Sequence, residues 1–174
     1  HDDSHVSDWI ERVNPERFVQ FSLQEGARAE FMARDIQSNP NGRVAFTLLT
    51  PVGECEINMQ LLGRHNVMNA AAAAAVALEV GANLENVKAG LAGVEAVPGR
   101  LSAVKGIADS SLLDDSYNAS PNSFSAAIDV LATFSGRRIL ISGDMKELGD
   151  ETESAHELVG RLAQQAGIDA LWSV

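Results

Sequence analysis

The chain has 174 residues, of which 13 are basic and 24 acidic, giving a net charge of −11. That balance excludes an extended phosphate backbone as partner, because non-specific nucleic-acid binding is driven by Lys and Arg displacing counterions. A hydrophobic share of 45% against 21% charged residues argues against disorder, and the length suits one domain or two small ones.

The N-terminus reads His1-Asp2-Asp3-Ser4-His5, acidic where a secretory signal is basic and then apolar. It has no initiator methionine, which suggests an excised piece. The first 60 residues read as short strands and turns. Within them Val44 to Thr50 and Glu54 to Met59 flank Pro51-Val52-Gly53 as a hairpin. Cys55 is the only cysteine, which excludes an internal disulfide and a clustered-thiolate metal site and favours a reducing compartment. After Gly63-Arg64-His65-Asn66 the period changes. Six alanines, Ala70 to Ala75, continue to Leu78 as a flat helix that Gly81 stops, predicted to pack on a sheet or on the next helix, Leu84 to Leu91. The apolar run Ala70 to Leu78 is far short of the roughly 20 residues that span a bilayer. Pro98-Gly99 marks a domain boundary.

From Arg100 onward the layout alternates. A strand ending at Leu112-Leu113 meets the polar loop Asp114 to Ala119, and Ser120-Pro121 caps a helix carrying Phe124, Ala127, Ile128 and Leu131. A strand at Arg138 to Ser142 runs into Gly143-Asp144-Met145. A helix at about Glu151 to Ala166 shows Leu158, Leu162 and Ala166 on one stripe, and a last strand begins at Ala170. This β-α-β-α-β order predicts a parallel sheet with right-handed crossovers. Both polar loops, after Leu113 and after Ser142, are expected side by side at its carboxyl end, where such sheets bind ligands. The chain stops inside the last strand, a second suggestion of excision.

The chemistry-bearing residues each allow two readings. Of the pair Asp114-Asp115, one carboxylate suits a ribose diol or a Mg²⁺ water, or both belong to a local turn. Tyr117, the only tyrosine, stacks on a base or anchors its loop. Asn66 and Asn69 share one face of a helical first turn, where they suit an adenine edge or a phosphate, or Asn66 is simply an N-cap. His65 suits a capping or structural role or catalysis, Arg100 a nucleotide or a surface ion pair, and Asp144 a substrate amine or metal, or a turn. Lys146-Glu147 reads as a surface pair and Arg137-Arg138 as a solvated strand flank. There is no Gly-Lys dipeptide, so the phosphate loop GxxxxGK[ST] is missing.

Four runs taken in order, Gly63-Arg64-His65-Asn66-Val67-Met68-Asn69-Ala70, Val97-Pro98-Gly99-Arg100, Leu113-Asp114-Asp115-Ser116-Tyr117-Asn118-Ala119-Ser120-Pro121 and Gly143-Asp144-Met145-Lys146-Glu147-Leu148-Gly149, resemble the Mur ligases of peptidoglycan synthesis. The Asp-Asp-Ser-Tyr-Asn form resembles the dipeptide-adding branch rather than a sister with Asp-Asp-Tyr-Ala-His. One departure is Leu62, where the family often has proline, and it bears on the rigidity of that loop.

The resemblance implies an α/β chain with two parts: residues 1–98 as the later part of a central ATP-binding domain, and residues 99–174 as the first part of a Rossmann-like C-terminal domain with a parallel sheet. The implied chemistry is ATP-dependent addition of D-alanyl-D-alanine to UDP-N-acetylmuramoyl-tripeptide through an acyl phosphate, with Mg²⁺, in a cytoplasmic monomer with no nucleic-acid or membrane partner. His65, Asn66, Asn69, Arg100 and Asp115 are carried over as ATP contacts. Tyr117, Asn118 and Asp144 are carried over to the substrate cleft, no residue is assigned to a metal, and Pro98-Gly99 is the expected pivot. Without the phosphate loop the piece alone is expected to be inactive. Two other readings are a sister ligase with another amino-acid acceptor and a phospho-acceptor receiver holding Mg²⁺ on Asp114, Asp115 and Asp144.

Overall fold

The computed structural model describes residues 3–13 and 18–174. Two compact units emerge, one built from the chain up to Gln37 with Val44–Gln60 and Arg64–Val94, the other from Ser38–Arg43, Leu61–Gly63 and Glu95–Val174.

The first unit opens with a short helix, α1 (Val6–Val13), where the sequence predicts only strands and turns. A four-stranded sheet follows in the order β1 (Phe21–Ser22), β2 (Phe31–Ser38), β3 (Arg43–Thr50), β4 (Gly53–Leu62). β1 and β2 are parallel. The expected hairpin is present: Pro51-Val52 is a two-residue connection that only antiparallel neighbours allow, and the Thr50 hydroxyl donates to the Gly53 carbonyl at 2.8 Å. Alternation along β3 buries Val44, Phe46 and Leu48, and β4 adds Ile57 and Met59.

The alanine helix, α2, spans Arg64–Glu79. Ala70, Ala71, Ala74 and Ala75 are buried, and the helix packs on β1 and on α3 (Leu84–Gly93), which fulfils both predicted contacts of its flat face. Gly81, at φ +96°, stops it in a Schellman pattern, with Ala82 N–H donating to the Ala77 carbonyl at 2.9 Å. Asn83 then caps α3 through the Asn86 N–H at 2.8 Å.

Cys55 of β4 is half-buried. Burial pushes its thiol pKa up, Lys88 pulls it down and Glu85 pushes it up, with burial dominant. Less thiolate at neutral pH means slower alkylation. Cys55 is therefore expected to react several-fold more slowly with iodoacetamide than free cysteine in a mass-resolved time course, and an equal or faster rate contradicts this.

The second unit holds two separate ladders. β5 (Ser102–Lys105) pairs antiparallel with β6 (Ser111–Asp114), and β7 (Ile139–Ser142) pairs parallel with β8 (Ala170–Ser173). This corrects the single β-α-β-α-β sheet expected from the alternation. The Gly106 N–H bonds the Ser110 carbonyl at 2.8 Å and closes a tight hairpin, so the ladder partner of β6 is its neighbour in sequence rather than β7. The parallel part of the expectation is carried by β7 and β8, joined through α5 (Thr152–Gln165).

Helix α4 (Pro121–Ala132) starts as predicted, with Ser120 and Ser123 forming a reciprocal capping box and proline in the first turn. It serves two clusters. Ile128 packs with Met145, Ala155, Val159 and Ala163, while Val130 packs with Leu62 and Leu101. The buried stripe of α5 is thus Ala155-Val159-Ala163, one position off the predicted one. Leu162 and Ala166 flank it, and Leu158 is exposed. Among the described residues no helix is long and apolar enough to cross a membrane.

Candidate functional site

The sequence-predicted residues fall into two groups, one in each unit. In the first unit, α2 begins at Arg64, so Asn66 lies inside the first turn and is not its N-cap. Its side-chain oxygen accepts from Asn69 Nδ2 at 3.1 Å, and its own Nδ2 lies 3.0 Å from His65 Nε2. The i,i+3 spacing therefore does bring Asn66 and Asn69 together, with His65 joined to them. His65 and Asn66 are half-buried and Asn69 is exposed.

In the second unit the Pro-Gly pair forms a hydrogen-bonded turn. Arg100 N–H donates to the Val97 carbonyl at 3.0 Å and Gly99 has φ +77°, the pattern of a type II turn with Pro98 at its first corner. The expected pivot is fastened on both sides. Tyr117 N–H donates to the Gly99 carbonyl at 3.0 Å, and Leu101 N–H donates to Asp115 Oδ1 at 3.0 Å. Leu101 is buried at φ +48°, a left-handed conformation that the Asp115 bond helps to hold. The Arg100 guanidinium lies 4.2 Å from the centre of the Tyr117 ring, a cation-π contact. Arg100, Asp115 and Tyr117 are thus one constellation.

A Cβ added at Gly99 would stand 3.3 Å from both the nitrogen and the Cβ of Tyr117. Combined with the positive φ, Gly99→Ala is expected to cost about 1–2 kcal/mol, read as a lower urea midpoint. An unchanged midpoint contradicts this.

The Asp pair divides its labour. Asp114 accepts from the Ser116 N–H at 3.2 Å, and its hydrogen bonds to Ser116 hold its carboxyl below the usual range. Asp115 turns to Leu101 instead. Asn118 is exposed, with Oδ1 accepting from Ala119 N–H at 2.9 Å. Asp144 is exposed beyond β7 and has no hydrogen bond or ion pair among the described residues. Its loop and the Asp114 loop do not leave hydrogen-bonded neighbour strands. They approach through the core instead, where Ala119 packs on the cluster containing Met145.

The receiver reading is overturned by this geometry. Asp114 and Asp115 accept from the backbone N–H groups of Ser116 and Leu101, and no group of three His, Cys, Asp or Glu side chains among the described residues could hold a metal ion. An apolar cavity of about 540 Å³ in the first unit, lined by Trp9, Ile10, Phe18, Phe21 and Met68 among others, includes none of the predicted site residues.

His156 carries no signal in the sequence, and Arg138, expected from the sequence as a solvated strand flank, is instead mostly buried. His156 accepts the Met145 N–H, and Arg138 joins several element ends, with its guanidinium donating to the Gly167 carbonyl at 2.8 Å and its N–H to Asp169 Oδ2 at 2.7 Å.

Residues 1–77 match the Mur ligase middle domain and residues 99–174 match the Mur ligase glutamate ligase domain. The chain is 44% identical over 173 residues to the UDP-N-acetylmuramoyl-tripeptide–D-alanyl-D-alanine ligase of Escherichia coli, covering 99% of this chain and 38% of that protein. The chain belongs to the Mur ligase family. The ligase of the same description from Haemophilus influenzae is 39% identical, with 98% and 36% covered. A crystal structure of MurF from Acinetobacter baumannii superposes with a TM-score of 0.92 at 32% identity, covering 99% of this chain and 37% of that one. MurF from Thermotoga maritima, solved in complex with ADP, shares the fold at a TM-score of 0.80 and 23% identity, with 97% and 38% covered. This Mur ligase chain thus spans a little over a third of the length of these relatives.

Proposed function

We propose that this Mur ligase chain is part of an ATP-dependent ligase that joins D-alanyl-D-alanine to UDP-N-acetylmuramoyl-tripeptide. The observation that carries this reading is the 44% identity to the E. coli ligase across 99% of the chain. In this reading residues 1–98 are the later part of the central ATP-binding domain and residues 99–174 begin the Rossmann-like C-terminal domain.

A carboxylate is a poor electrophile, so it must be activated. A tripeptide carboxylate oxygen attacks the γ-phosphorus of ATP and ADP leaves, giving an acyl phosphate. The dipeptide amine adds to the acyl carbon and loses a proton, and the tetrahedral adduct expels phosphate as the amide forms. Asn66, Asn69 and His65 contact the adenine region, Asp115 Oδ2 meets a ribose hydroxyl, and Arg100 offsets phosphate charge. Tyr117, Asn118 and Asp144 line the acceptor cleft. Mg²⁺ would accompany the phosphates of ATP and offset their charge. The ligase is expected in the cytoplasm as a monomer.

The test is phosphate release from ATP by a ligase of the relatives' length carrying this sequence, supplied with UDP-N-acetylmuramoyl-tripeptide and a panel of acceptors. Release with D-Ala-D-Ala and not with single amino acids supports the reading. Release with a single amino acid moves the protein to a sister ligase.

A further inference from the structure

Met145, in the middle of the loop after β7, is held twice. Its side chain is 3% exposed in the cluster with Ile128, Ala155, Val159 and Ala163. Its backbone N–H donates to His156 Nε2 at 3.1 Å. The other ring nitrogen, Nδ1, lies 2.7 Å from the carbonyl of Thr152, one turn earlier on α5.

These partners fix the proton. An amide N–H only donates and a carbonyl only accepts, so Nε2 is the acceptor and Nδ1 carries the hydrogen. The ring is the neutral Nδ1–H tautomer, a bridge from the first turn of α5 to the loop. On either side of Met145, Asp144 and Lys146 are exposed, and Glu147 turns the chain at φ +64°. The loop thus presents its charged side chains from a single anchored residue.

We propose that His156 is a positioning residue for acceptor binding: through the Met145 amide, its imidazole sets the loop of residues 143–147 that presents Asp144. This rests on the placement of Asp144 in the acceptor cleft. His156 itself touches no substrate. A cluster anchored by Met145 packing alone would tolerate any side chain of similar bulk at position 156. A ring acting through Nε2 requires an acceptor at that point, which Gln supplies with Oε1 and Leu does not.

The experiment has two arms. In the 174-residue chain, ¹⁵N spectra of His156 are expected to show the Nδ1–H tautomer. His156→Leu is expected to speed hydrogen exchange at the Met145 amide about tenfold, as for loss of one hydrogen bond, with His156→Gln restoring most of the protection. In a ligase of the relatives' length, His156→Leu is expected to raise KM for D-Ala-D-Ala about tenfold while KM for ATP is unchanged, and His156→Gln is expected to recover most of that loss. The Nε2–H tautomer, equal behaviour of Gln and Leu, or a parallel rise in both KM values overturns the inference. If the unsubstituted ligase turns over no dipeptide, the functional reading fails and takes the acceptor role with it, while Met145 exchange still decides whether His156 holds the loop.

Discussion

Arg100→Ala, in a ligase of the relatives' length carrying this sequence, is expected to lower kcat/KM for ATP about a hundredfold. Arg100 leaves a turn fixed by its own N–H on the Val97 carbonyl, with Gly99 and Leu101 tied to Tyr117 and Asp115. Its guanidinium is further confined by the Tyr117 ring at 4.2 Å. A cation held in this way is oriented before any phosphate arrives, so its removal loses both charge and preorganisation. Arg100→Lys is expected to recover only a small part, because an ammonium lacks the planar face that lies on the ring. Tyr117→Phe keeps that face and is expected to stay near the parent rate. Steady-state kinetics with ATP varied measures all three, and an Arg100→Ala ligase with the parent kcat/KM contradicts the assignment.

Arg138→Ala is expected to destabilise the chain by about 2 kcal/mol, the scale of losing charged hydrogen bonds from a mostly buried group. The guanidinium donates to the carbonyls of Gly167 and Ala132, and the backbone N–H donates to Asp169. It therefore links the ends of α4 and α5 to the start of both parallel strands. That Arg138 N–H is also the main reason the Asp169 carboxyl lies below its usual range, with the Arg138 charge adding to it. A depressed carboxyl pKa stabilises the fold above the ordinary carboxylate pKa, and this contribution fades as pH falls through the lowered value. Asp169 is exposed, so solvent screens the effect. Urea unfolding of Arg138→Ala near neutral pH measures the loss. Parent stability in that variant contradicts the clamp, as does an Asp169→Asn variant whose stability falls on acidification as steeply as the parent.

Much of the fold was legible where local chemistry acts alone. Pro51-Val52-Gly53, the alanine run, Gly81 and Ser120-Pro121 each dictate their own turn, helix, stop or cap, and the elements stand where those residues put them. Helix α1 was also within reach, since Val6, Trp9, Ile10 and Val13 recur at helical spacing. The partner of β6 was not, because alternation of strands and helices does not say which strand edges meet. The stripe of α5 was misplaced for a similar reason: Ala155 and Ala163 are small enough to face a close neighbour, and leucine is not always the residue that turns inward. In the site, the Asn66–Asn69 pairing follows from helix geometry. The grouping of Arg100, Asp115 and Tyr117 depends on a turn meeting a loop well downstream in the chain, which no spacing encodes. His156 gave no signal, since its partners are backbone atoms.

The proposed reaction is amide formation through an acyl phosphate with a dipeptide acceptor. Its most direct test is isotope transfer in a ligase of the relatives' length carrying this sequence, using UDP-N-acetylmuramoyl-tripeptide with an ¹⁸O-labelled terminal carboxylate, ATP and D-Ala-D-Ala. Pentapeptide product is expected together with inorganic phosphate carrying one labelled oxygen from the carboxylate. Phosphate without label, or product formed only when a single amino acid replaces the dipeptide, would contradict it.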